Sequence, residues 1–92
     1  MTKIDGAWYV DSAQPTGVRI QTRLSPDRRF LGVIIRAPDE SMRVVIYRRF
    51  DDPQYLGPHW GRFTGPSVTD TFESAERILQ NEFQTRTHDN AA

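Results

Sequence analysis

The hydrophobic period of this chain changes once, and that change constrains its fold more than any other feature. Through residues 7–50, short apolar runs recur between turn residues. After a Pro- and Gly-rich interval at 51–69, residues 70–84 carry apolar side chains at helical spacing. Strands first and one helix last predict an α+β domain, a small antiparallel sheet of four to five strands with one C-terminal helix (70–84) packed on one face. A meander over 17–24, 30–36 and 42–50 forms its centre, because short connections favour pairing between sequential strands.

Within that meander, Val18, Ile20, Thr22 and Leu24 alternate with Arg19, Gln21 and Arg23, the period of a strand with two unlike faces. Phe30–Ile35 is apolar on both faces, as a central strand would be. Placing Leu24 near Phe30 and Ile34 near Val44 gathers Val18, Ile20, Leu24, Phe30, Ile34, Met42, Val44, Ile46 and Phe50 on one face. Gly32 lies among them, where a missing side chain lets a helix approach. The other face then holds Leu31, Val33, Ile35, Val45 and Tyr47, ringed by Arg19, Arg23, Arg43 and Arg49. A slip of one residue in the first hairpin would instead set Leu31, Val33 and Ile35 opposite the apolar set of residues 18–24.

Asp51–Thr69 contains Pro53, Pro58 and Pro66 with Gly57, Gly61 and Gly65, which rules out a helix. A short strand over 59–64 is expected there, with Trp60 at least partly buried. Asp70 and Glu73 have the spacing of a capping box, and Phe72, Ala75, Ile78, Leu79 and Phe83 form the apolar stripe that follows. The ends, about 1–5 and 86–92, are expected to be flexible extensions of a single domain spanning 1–92.

Composition narrows the function classes. The 92 residues include no cysteine, which removes disulfides and thiolate chemistry. Neither a long apolar span nor a basic start followed by an apolar run is present, so cytoplasmic residence is expected. Net charge is zero, yet residues 1–50 carry nine Lys or Arg against five acids, and residues 51–92 carry three against seven. A basic sheet and an acidic helical end follow.

No motif assembles a cofactor or metal site, so no cofactor is expected. His59 and His88 are the only histidines, and the glycines of the 51–69 segment lack both the fingerprint and the lysine of a phosphate loop. A hydrolytic site can be sketched from His59 with Asp51 or Asp52 and a hydroxyl of Thr64 or Ser67, but nothing gives it a nucleophile's context.

The leading expectation is a non-enzymatic domain acting through protein association, as a homodimer or with a partner protein. Its interface would be the second apolar sheet face, Leu31, Val33, Ile35, Val45 and Tyr47, since one helix covers only one side. One alternative is single-stranded nucleic-acid binding, with Tyr47 for stacking and Arg19, Arg23, Arg43 and Arg49 for backbone contacts. Another is a small enzyme using His59. Tyr55 and His59 are also placed to form a recognition loop anchored by Trp60.

Overall fold

A computed structural model describes residues 2–9, 16–51 and 57–91. Six strands, β1 (Thr2–Ile4), β2 (Ala7–Tyr9), β3 (Val18–Leu24), β4 (Phe30–Arg36), β5 (Met42–Phe50) and β6 (His59–Thr69), precede one helix, α1 (Phe72–Ala91). The fold is α+β, and the sheet runs β1-β2-β6-β5-β4-β3. It is mixed rather than purely antiparallel, because β2 lies parallel to β6 at Trp8 and His59. The remaining pairs, β3–β6 in succession and β1 with β2, are antiparallel.

Turn chemistry fixes these strands locally. Asp5 and Gly6 take positive φ values of 50° and 79°, the two-residue hairpin geometry that matches strand twist. That hairpin orders Thr2–Ile4, which the sequence reading left as a flexible lead-in. Between β3 and β4, the Ser25 hydroxyl accepts from the Phe30 N–H at 3.1 Å and donates to Asp27 at 2.6 Å. Asp27 also accepts from the Arg29 N–H at 3.1 Å, and these contacts hold its carboxyl below the usual 3.8, the Ser25 hydroxyl being the largest cause.

Register departs from expectation at one place. Ile34 does face Val44, but Leu24 faces Leu31 and Thr22 faces Val33, the slipped arrangement. A bulge between Arg19 and Gln21 then shifts the pairing, so Arg19 faces Ile35. Leu24 therefore joins the second face, and Arg23, paired with Gly32, lies on the helix-bearing face.

Both sheet faces are buried at their centres. Phe30, Ile34, Val44 and Ile46 pack against Ala75, Leu79 and Phe83 of α1, with Met42, Phe72 and Ile78 at the margin. A methyl group at Gly32 would collide with Leu79 and crowd Phe83, so the bare backbone lets the helix sit down on β4. The helix starts at Phe72, two residues later than the sequence suggests. Thr71, not Asp70, caps it, its hydroxyl accepting from the Ser74 N–H at 3.1 Å. It also runs on to Ala91, through the segment expected to fray.

On the second face, Leu31, Val33, Ile35, Val45 and Tyr47 pack with Ala7, Tyr9 and Trp60, flanked by Ile4 and Leu24. Curling of the sheet closes this face. Although three strands separate β2 from β3, the Arg19 guanidinium lies 4.9 Å from the Tyr9 ring centroid.

Candidate functional site

Curling changes the standing of the expected interface. Leu31, Val33, Ile35, Val45 and Tyr47 are interior to the monomer, each at 0–1% exposure. They cannot form the exposed patch read from the sequence. The β1–β2 hairpin supplies Ala7 and Tyr9 as cover, and Trp60 enters from β6, donating its indole N–H to the Ile4 carbonyl at 2.9 Å. Tyr9 and Tyr47 meet edge to face, with their hydroxyl oxygens 3.4 Å apart.

The four arginines expected on that face are divided. Arg23 projects on the helix side of the sheet. Arg49 is on the concave side but is fully engaged, donating to the Asp5 carbonyl at 2.9 Å and contacting the carboxylates of Asp5 and Asp51, each at 3.5 Å. Its guanidinium also lies 6.0 Å from the Trp60 ring centroid. Arg19 and Arg43 remain at the opposite end, on either side of Ile35. Tyr47, the aromatic meant to stack a base, is buried, at 1% exposure.

The 51–69 segment is largely strand rather than loop. Tyr55 lies outside the described residues, as do Leu56 and Asp52. His59 opens β6, half-buried and stacked on Phe50 with centroids 5.6 Å apart and planes 22° from parallel. Thr64 lies five residues along the same strand, about 16 Å away, and Ser67 lies farther still. Asp51 is spent on Arg49. The sketched hydrolytic grouping is therefore not assembled. Among the described residues no three His, Cys, Asp or Glu side chains gather as a metal site, and no helix is long and apolar enough to cross a membrane.

A different surface emerges where β5 ends and β6 begins, on the helix-bearing face. Phe50 and Phe63 are 41% and 42% exposed there, unusually open for phenylalanines. Phe50 lies over Gly61, where a Cβ would stand 2.7 Å from its Cε2, and Arg48 lies 5.8 Å from its ring centroid. Phe63 rests edge-on against Phe30 at 5.5 Å. Neither the Phe50 nor the Phe63 ring belongs to the cluster that the helix buries, which is built on Phe30, Ile34, Val44 and Ile46.

Sequence reasoning assigned Phe50 to the core and Phe63 to a connecting segment, and so missed the corner. The available signal was parity: His59, Gly61 and Phe63 share one strand face, opposite Trp60. The chain matches no family model, and comparison with curated proteins and with solved structures found no match to either.

Proposed function

We propose that this chain is a non-enzymatic binding domain that works through protein association, with a second copy or a partner protein, and that Arg48, Phe50, His59 and Phe63 form the contact surface. The observation carrying this reading is the pair of exposed phenylalanines on one rigid corner. Rigid aromatics flanked by arginine resemble the centres of protein interfaces, where truncating such a group commonly costs 2 kcal/mol or more, roughly, in affinity. The other exposed apolar residues favour association less. Val18 and Ile20 sit on the edge strand β3, whose bulge disrupts strand addition.

Nucleic-acid binding is less well supported. The Phe50 ring already stacks on His59, and the arginines do not share one surface. Light scattering across a micromolar concentration series tests the self-associating form, and affinity capture followed by titration of the purified partner tests the other. Phe50→Ser and Phe63→Ser should each abolish or greatly weaken the interaction while the fold persists. Association unaffected by both substitutions, or a strictly monomeric chain that binds a mixed-sequence oligonucleotide through Arg48, would overturn the reading.

A further inference from the structure

The concave face has two ends, and they treat their arginines differently. At one end, Arg49 is paired with the carboxylates of Asp5 and Asp51. At the other, Arg19, Ile35 and Arg43 lie side by side on β3, β4 and β5 in one hydrogen-bonded row. Two strand spacings put the arginine Cα atoms about 10 Å apart, with both side chains directed to the same face.

Nη1 of Arg19 and Nε of Arg43 are both buried, and neither has a hydrogen-bond partner. Arg19 makes no ion pair among the described residues; its guanidinium lies against the Tyr9 ring. Arg43 has a single long ion pair, Nη2 to the exposed Asp39 carboxylate at 3.9 Å, which does not reach its Nε.

A guanidinium stays charged at any physiological pH, so these groups cannot escape by losing a proton. Each buried donor left without an acceptor loses the hydrogen bond that water gives it in the unfolded chain, and the loss is greater when the donor is charged. Two such donors on neighbouring cations, with like charges in one row, define an unmet demand for negative oxygen. A carboxylate or phosphate group meets it, since both offer several acceptor oxygens at the spacing of the guanidinium fork.

We propose that the Arg19–Ile35–Arg43 row is a binding site for an oxyanion, a carboxylate or phosphate group, seated beside the Tyr9 ring at this end of the concave face. This site is separate from the Phe50–Phe63 corner and stands whether or not that corner binds a partner. The anion bridges the two guanidinium groups, accepting from Arg19 Nη1 and Arg43 Nε, and so joins β3 to β5 across β4.

The test is thermal unfolding of the full chain in inorganic phosphate, in acetate and in chloride at matched ionic strength, for the wild type and for Arg19→Gln, Arg43→Gln and Arg23→Gln. Phosphate also stabilises proteins generally through exclusion from their surfaces, so the comparison among variants decides. Phosphate, acetate or both should raise the wild-type midpoint by several degrees over chloride, and whichever acts identifies the group. Arg23→Gln should keep that increment, while Arg19→Gln and Arg43→Gln should each lose most of it. Calorimetric titration of phosphate and acetate into folded wild-type protein gives a second reading if one variant fails to fold. An increment equal in all four proteins, or no increment over chloride together with no binding heat, would overturn the proposal.

Discussion

The Asp5 carboxylate, in the turn between β1 and β2, lies 3.6 Å from the guanidinium of Arg28, in the turn between β3 and β4. Those turns belong to opposite edges of the sheet. Their contact, reinforced by Arg49 donating to the Asp5 carbonyl, holds the sheet in its curl and keeps the second apolar face covered. The Asp5 side chain is 23% exposed but that of Arg28 is 72% exposed, so their pair is screened much as an ordinary surface pair is. Asp5→Asn preserves the turn's preference for positive φ while removing the charge. It should cost about 0.5–1.5 kcal/mol in urea unfolding, and the loss should shrink at 1 M NaCl, roughly where screening is nearly complete. A loss independent of salt would assign the effect to turn geometry instead.

Close approach of α1 to β4 depends on Gly32. Gly32→Ala should destabilise by about 1–3 kcal/mol, because the new methyl meets Leu79 and Phe83. Adding Leu79→Ala should then cost less than it does in the wild type, since that truncation removes the colliding atoms. A double-mutant cycle by denaturant unfolding measures the coupling, and simple additivity would contradict this contact.

The Ser25–Asp27 turn predicts a pH dependence. The Asp27 carboxyl is held below its ordinary value in the folded chain, so it stabilises the fold above pH 3.8, approximately, and that contribution disappears as pH falls through the lower folded value. Ser25→Ala removes the largest cause. NMR titration should then show the Asp27 value rising toward 3.8. The same variant should lose about 1–3 kcal/mol at neutral pH, because the Phe30 N–H is left without its buried acceptor.

Much of this architecture was legible in the sequence, for local reasons. The doubly apolar run Phe30–Ile35 identified a strand buried on both faces, though it lies next to the edge of the sheet and not at its centre, and the stripe from Phe72 to Phe83 identified the helix face. Gly32 marked the helix's seat correctly. What failed was long-range or depended on one residue. The Asp5-Gly6 hairpin went unread, with residues 1–5 expected to be a flexible end, and nothing local says that β2 runs parallel to β6, fifty residues later in the chain. That pairing turns the supposed interface into interior. The slipped hairpin register moved Leu24 to the second face, and the bulge at Arg19–Gln21, which left no mark on the alternating pattern, put Arg19 on the face opposite Arg23. Thr71 could cap the helix as well as Asp70 by residue type, and the Ser74 N–H chose between them. Of the expected site residues, Arg19 and Arg43 remain together on the concave face, while His59 finds a place beside Phe50 instead of in a catalytic grouping.

The indole of Trp60 ties β6 to β1 through the Ile4 carbonyl. Trp60→Phe keeps most of the packing and loses that bond, so a cost of about 1 kcal/mol is expected. Trp60→Ala should cost about 3–5 kcal/mol. Equal costs for the two variants, measured by urea unfolding, would show that ring volume contributes little to the concave core.

The most direct test of the curled, self-covered sheet is denaturant unfolding of Val33→Arg. Val33 is wholly buried, in the cluster that the β1–β2 hairpin completes with Ala7 and Tyr9. An unpaired charge there costs several kcal/mol, comparable to the roughly 5–15 kcal/mol that stabilises a whole domain. Val33→Arg is expected to abolish the cooperative transition, whereas Phe50→Ser should leave it within about 1 kcal/mol of the wild type. A Val33→Arg chain that unfolds cooperatively at the wild-type midpoint would mean that this face is open in the monomer, and would contradict the account.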